Sequence, residues 1–526
     1  MMKPRSFTFS ALVTIVLISG IAGWVFGAQA RPAGKSEADV DAALKNFSAV
    51  LGLVEENYAG DVDGDKAVYG AIAGMLRTLD PHSTFLDPKS FASSREDQRG
   101  KYYGLGISVN VRFGQVTIVS PPLSGSPAEK VGLRVGDVIA RVNGEPTQGV
   151  DLSDVIAKIK GPRGTSVQIS IRRPGVDELL ELSAIRDEIS KFTVSSAFFI
   201  RPGIGYIKLD SFAETSGREV REAIRKLDPA KLQGLVFDLR NNRGGVLPAA
   251  IDISETFLQK GQSILETKGR VRGSSRQYVS QRANTDNLFP LVVLINGDSA
   301  SASEIVAGAI QDHDRGLIVG ETSFGKGLVQ SVFELSKSAG LALTTQKWFT
   351  PSGRLIQRDY SEISQFDYYN HRDTTKAKPA EIKRSDTGRI VYGGGGITPD
   401  NAVDELKTNE FQQLLASRYV FYTYAREVLK KDPGITTSYQ ATDAVLSDFK
   451  RHISTRGVQV SDKDYQDNTE FLKRMIRYEV LYDKFGSGEA IRSLLDYDPQ
   501  VLKALELLPE AKELAGKASR QIADRR

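Results

Sequence analysis

The 526-residue chain contains no cysteine. Disulfides, a cysteine nucleophile and thiolate metal sites are therefore excluded. Histidine is scarce: His82, His313, His371 and His452 are the whole set, and no HExxH pair exists among them. A zinc protease is not expected, and neither a metal nor an organic cofactor is implied. Charge of one sign is also lacking. The formal net charge is +4, from 69 basic and 65 acidic residues, so no nucleic-acid partner is expected. Beyond the N-terminus no segment is apolar enough to span a bilayer. What is there is 40% hydrophobic and 25% charged, the composition of a folded chain. The length suits roughly three or four domains.

The first 30 residues have a different character. Lys3 and Arg5 precede an apolar run from Phe7 to Gly27, followed by Ala28-Gln29-Ala30. This is the layout of a secretory signal peptide. The run also approaches the ~20 residues that cross a membrane, so an uncleaved anchor competes. Either way the remainder is expected outside the cytoplasm, in a periplasm or cell envelope, soluble or anchored.

Four further regions follow. Residues 31–98 read as helical, with Leu44, Phe47, Val50, Leu51 and Val54 at helical spacing. Residues 99–186 carry short β-rich runs at 106–111, 116–120, 138–142 and 167–173, with a helix near 151–159. This is a small, partly open β-barrel with helices. Residues 187–405 alternate strands (204–209, 235–240, 291–296, 316–320) with helices (214–227, 247–259, 302–312), which predicts an α/β core. Residues 358–392 read as a polar surface insertion. Residues 406–526 return to long helical patterns.

Two strings carry function. In the β-rich region, YGLGISV (103–109) sets glycines on both sides of Leu105 before a strand. Such a turn leaves N–H groups free for a carboxylate. With GSPAEKVGLRVGDVIARVNGEP (125–146) downstream, the segment resembles a PDZ domain. That resemblance implies a peptide carboxyl terminus pairing beside Leu105, Gly106 and Ile107.

In the core, NGDSASASE (296–304) follows the apolar run LVVLI. A serine at a strand-to-helix junction presents its hydroxyl at a helix N-terminus, where free N–H groups favour developing negative charge. Ser299, Ser301 and Ser303 all compete on local chemistry, and one of them could serve only as an N-cap. SASASE with the later FGKG (324–327) resembles the carboxyl-terminal processing, or tail-specific, protease family. LDPHSTFLDP (79–88), WFTPSG (348–353) and GGITPD (395–400) resemble further landmarks of that family, and the match runs over about residues 40–405. It implies an α/β protease core with an inserted PDZ domain, Ser301 as nucleophile, Lys326 as general base and Gln330 orienting the lysine. It also implies an oxyanion hole from the N–H of Ala302 and that of Gly245, with Gly244 the alternative. A lysine can act as base only if burial removes its proton at neutral pH, and Phe324, Leu328 and Val329 are the apolar neighbours for that.

Three rivals stand beside this reading. GETSFGKG (320–327) opens like a phosphate-binding loop but has Gly327 where magnesium chemistry needs Ser or Thr. A Ser-His-Asp triad through His313 fails on distance, since His313 closes the helix after Ser301, roughly 15 Å on; it reads as a helix C-terminal cation, and His82 as structural. An inactive envelope scaffold presenting peptides through its PDZ domain is the third. The expected partners are proteins or peptides with a recognised C-terminal tail. Self-association through the C-terminal helices and an activating partner are the further expectations.

Overall fold

The computed structural model describes residues 37–282, 289–335, 338–370 and 381–524. Residues 1–30, read above as a signal or anchor, His371 and part of the 358–392 stretch lie outside them. Among the described residues no helix is long and apolar enough to cross a membrane. The chain divides into two compact units at Thr78/Leu79. The first holds helices α1 (Glu37–Asn57) and α2 (Gly64–Arg77), the latter capped by Asp63, whose side chain accepts the Lys66 N–H.

The second unit opens with strand β1 (Thr84–Leu86) and helix α3 (Pro88–Arg99). Asp87 caps α3, Pro88 fits its first turn, and Gly100 closes it in the left-handed conformation. The small β-domain follows: β2 (Lys101–Gly104), β3 (Val109–Arg112), β4 (Gln115–Ile118), β5 (Val138–Val142), α4 (Leu152–Ile159), β6 (Ser166–Arg172), β7 (Leu180–Ile185) and β8 (Asp187–Ser190). Strands β3 to β7 form an antiparallel sheet in sequence order, and β2 pairs with β8. The strand expected from 106 starts only at Val109, because the backbone at 105–108 is irregular, with Gly106 in the left-handed region at φ 79°. This domain also leans on the C-terminal helices, with Arg112 stacked 3.7 Å above the ring of Tyr422.

The α/β core contains β9 (Val194–Arg201), β10 (Ile204–Leu209), α5 (Ser216–Lys226), β11 (Gly234–Asp238), α6 (Leu247–Phe257), β12 (Ser263–Gly269), β13 (Arg276–Val279), β14 (Leu291–Ile295), α7 (Ala302–Asp312), β15 (Leu317–Gly320), β16 (Leu328–Glu334), β17 (Gly340–Phe349), α8 (Gln365–Asn370) and β18 (Asn401–Ala402). Its main sheet has the order β9-β10-β11-β14-β15-β18, parallel from β10 onward. A second sheet joins β1, β17, β12 and β13, with β16 on β17.

Alternation sorts the main sheet's side chains onto two apolar faces. Ile207, Phe237, Val293 and Ile318 face α5, α6 and α7. Tyr206, Val236, Val292, Leu294 and Val319 face the other way, onto Val501, Ala504, Leu507 and Leu508. Those last four sit on α12 (Pro499–Asp524), which follows α9 (Val420–Lys431), α10 (Thr469–Phe485) and α11 (Ser487–Leu495). The C-terminal region is thus split in use. Residues 415–480 build their own small helical core, while α12 is a layer of the protease core. Its apolar stripe is spent on the sheet, at about 1.5–3 kcal/mol for each fully buried large side chain.

Candidate active site

Three loops leave the carboxyl ends of adjacent parallel strands: 239–246 after β11, 296–301 after β14 and 321–327 after β15. Ligands of open α/β sheets gather at that edge, and these loops hold Gly245, Ser301 and Lys326. The three competing serines separate by hydrogen bonding. Ser299 is buried, donates to the Leu239 carbonyl and accepts the Asn296 N–H. Ser303 is buried and donates to the Asn242 carbonyl. Ser301 is partly exposed and lines a cleft of about 1270 Å³.

Ser301 has φ 55° and ψ −110°, a backbone that a non-glycine residue holds only under constraint. The constraint is Glu304, one turn into α7. Its carboxylate is fully buried and accepts from Ser301 N–H (2.7 Å), Lys326 N–H (2.9 Å), Gly325 N–H (2.7 Å) and Ser323 Oγ (2.5 Å). Burial pushes its pKa up, against the pull of those four donors. Sequence reasoning missed Glu304, although Ser301-x-x-Glu304 is the spacing of a capping box. The same bonds answer the phosphate-loop rival: Gly325 and Lys326 give their N–H groups to Glu304, and a strand follows them.

Lys326 sits in the wall of the cleft, anchored through its carbonyl to Trp348 Nε1 at 3.0 Å. Burial lowers its pKa, while Glu304 and Asp80 pull it back up. Among the described residues its Nζ has no hydrogen-bond partner.

Opposite, the glycine pair comes close to Ser301. A Cβ on Gly244 would lie 2.9 Å from Ala302 N, and one on Gly245 2.0 Å from the Phe212 carbonyl oxygen. Gly244 gives its N–H to Asn242 Oδ1 at 2.9 Å. The N–H groups of Gly245 and Ala302 have no partner among the described residues, and both residues line the cleft.

Residues 203–363 match the model of peptidase family S41, 118–173 a PDZ domain, and 27–90 the N-terminal domain of the activating protease CtpB. The carboxy-terminal-processing protease of Bartonella bacilliformis is 38% identical over 71% of this chain and 88% of its own length. The chain belongs to the carboxy-terminal-processing protease family. It is an enzyme, a serine-type peptidase, which removes the inactive-scaffold reading. The Bacillus subtilis carboxy-terminal processing protease CtpA is 34% identical over 74% of this chain and 84% of its own. Among solved structures, the photosystem II D1 C-terminal processing protease is similar at 28% identity over 68% of this chain and 92% of that one, with a TM-score of 0.35.

Two expectations about this peptidase's site change in the structure. Gln330 does not bond Lys326; its Nε2 donates to Thr344 Oγ1 at 3.2 Å, and Thr344 donates in turn to Asp80 Oδ1 at 3.1 Å. Lys326 precedes β16, and a register shift falls between Val329 and Gln330, so no strand period relates the two residues. Both nevertheless line the cleft.

His82 is structural in one sense and part of the site in another. It lines the cleft, with its ring nitrogens 3.0 Å from Tyr368 Oη and 3.1 Å from Tyr369 Oη. Burial, with the nearby Lys326 charge, lowers its pKa to about 4. Tyr368 and Tyr369 come from α8, inside the segment read as a surface insertion; Tyr368 is buried against Phe324. Only distant folding brings α8 to the DPHS turn, so no local signal could show it. His313 caps α7 as expected, bonded to Asp386 and the Ser263 carbonyl.

The PDZ groove, about 470 Å³, is lined by Leu105, Gly106 and Ile107 against Ile156 and Ile159 of α4. The carbonyls of Leu105 and Gly106 accept from Ala128 and Leu123. The N–H groups of Leu105, Gly106 and Ile107 have no partner among the described residues. Gly106 is required at φ +79°, where a Cβ would fall 2.6 Å from Ser126 Cβ.

Proposed function

We propose that this peptidase is an exported endopeptidase working through a Ser301–Lys326 dyad on proteins selected by their C-terminal tails. The observation that carries the reading is the sorting of the serines: Ser301 opens to the cleft that Lys326 also lines, while Ser299 and Ser303 are bonded away. Lys326, its charged form disfavoured by burial, takes the Ser301 Oγ proton as the oxygen bonds the scissile carbonyl carbon. The resulting oxyanion lies between the Ala302 and Gly245 N–H groups. Lys326 then protonates the leaving amine, and water hydrolyses the ester with Lys326 again as base. Gln330 lines the same cleft, its Nε2 held by Thr344. The PDZ groove receives the tail and gates access to Ser301.

Casein cleavage by the full chain tests the dyad. Ser301→Ala and Lys326→Ala should each remain folded and lose activity by more than a hundredfold. Retained cleavage by Ser301→Ala would overturn the assignment of the nucleophile. Fractionation of expressing cells tests export, and a chain retained wholly in the cytoplasm would refute it.

A further inference from the structure

Loop 239–246 has a cavity on each side. Arg243, Gly244, Gly245 and Val246 line the catalytic cleft, while Arg240 and Asn241 line a separate pocket of about 510 Å³. Among the described residues the two linings share none. The pocket lies at the carboxyl ends of β10 and β11, the edge that carries the catalytic loops, and its volume is that of a small-molecule site. Phe471 and Met475 of α10, with Ile491 and Leu494 of α11, give it apolar walls. Its charges are four cations, Lys208, Arg240, Lys407 and Arg474, against three carboxylates. Each carboxylate already accepts within the protein: Asp238 and Asp498 from Arg240, at 2.6 and 2.7 Å, and Glu405 from Asn296 Nδ2 at 2.7 Å. What is spare is mainly donors. Asn241 Nδ2, Lys407 Nζ and the terminal nitrogens of Arg474 have no hydrogen-bond partner among the described residues. Lys208 Nζ makes a single hydrogen bond, to the Arg240 carbonyl at 3.1 Å. An apolar chamber with a surplus of donors and cations suits a ligand with an apolar body and an anionic head.

We infer that this pocket binds a carboxylate carried on an aliphatic chain, and that the bound acid steadies the oxyanion loop from behind. The binding stands on the pocket alone; the coupling rests on the role proposed for Gly245. Asn241 joins the two. Its φ of 61° is left-handed, a conformation that asparagine tolerates better than most side chains. Two bonds of 2.9 Å hold it there: Asn241 N–H donates to Asn296 Oδ1, and Asn296 Nδ2 donates to Asn241 Oδ1. Asn296 opens the loop that ends in Ser301, and its Nδ2 also reaches Glu405 in the pocket wall. One side-chain amide therefore ties together the pocket, the oxyanion loop and the nucleophile loop. A carboxylate that accepts from Asn241 Nδ2 adds a bond to the loop conformation in which the Gly245 N–H is left without a partner. A ligand shifts a conformational equilibrium only by preferring one state. Here the preference comes from that bond, which needs Asn241 where it stands.

The test is isothermal titration of the full chain carrying Ser301→Ala. The probes are octanoate and octan-1-ol, which share a chain and differ in the head. The acid is expected to bind about tenfold more tightly than the alcohol. Neutralising the two unpaired cations (Lys407→Gln with Arg474→Gln) should cut that preference to about threefold or less and leave the alcohol unchanged. Leu494→Trp, which fills the chamber, should abolish binding of both. With Ser301 restored, saturating octanoate should raise casein cleavage by about fivefold, the low end of the usual coupling between two sites. The Leu494→Trp chain should show no such rise. Equal binding of acid and alcohol, acid binding that survives Leu494→Trp, or no binding of either probe overturns the inference. Binding without any change in cleavage overturns the coupling. If Leu494→Trp melts early, the double glutamine variant decides alone, since both of its positions reach solvent. Because the titration is read without turnover, an error in the dyad leaves the binding constants in force, and an empty pocket leaves the dyad result in force.

Discussion

Ser301 and Lys326 hang on one atom: the main-chain N–H groups of both donate to Glu304 Oε2, at 2.7 and 2.9 Å. The two residues come from loops after different strands, and this oxygen ties their main chains together. Glu304→Gln would turn an NH₂ group toward the Ser301 and Lys326 N–H donors, or, flipped, toward the Gly325 N–H and the Ser323 hydroxyl, and would lose at least one bond either way. The expected result is a stability loss of about 3 kcal/mol by urea unfolding and a fall in kcat well beyond tenfold, with KM little changed. An unaltered kcat would show that the shared oxygen does not set the pair.

The pH profile of kcat/KM should report Lys326. Burial lowers its pKa, and in the proposed mechanism the neutral amine is the active form. Activity should therefore rise with pH and level off below the range of an ordinary lysine. Lys326→Arg should be inactive throughout, because a guanidinium keeps its proton. A profile flat from pH 6 to 10 would exclude Lys326 as the base.

Stability in mild acid should depend on His82. Its folded pKa, about 4, lies below the ordinary 6.5, so the unfolded chain takes up a proton first as pH falls. Stability is lost as pH drops through 6.5 and continues to fall toward 4, by as much as about 3 kcal/mol. His82→Gln should flatten that limb. Parallel unfolding curves for the two chains across pH 4–7 would refute the assignment.

Removal of residues 499–526 should uncover the apolar face of β10, β11, β14 and β15. The expected product is aggregated or unfolded and cleaves nothing. A truncated chain with normal activity would return α12 to the role of an attached docking segment.

The sequence was most legible where chemistry and local structure coincide. The four strands expected between 204 and 320 are all observed, because each is a short, largely buried apolar run ended by a turn, whereas β12 and β13, which lie in the second sheet, were not read. Ser301 and Lys326 were named by resemblance alone; local chemistry left the three serines open until the partners of Ser299 and Ser303 were known. Gln330 could not be placed because its partner, Thr344, lies across a hairpin with a register shift. His82 and Tyr368 are 286 residues apart, beyond any local pattern. The helical period of α12 showed an apolar stripe but not what would cover it.

That last contact also sets an order in time. The strands that carry the catalytic loops are complete by residue 320, yet their second face closes only when residues 501–511 arrive. At about 5–20 residues per second, the ribosome takes roughly ten seconds or more over the interval. During it the half-covered sheet exposes an apolar face, an aggregation hazard. The delay also bears on the cell making the protein: if the chain lacking α12 cleaves nothing, as predicted above, the peptidase cannot cut its neighbours until that helix has been made.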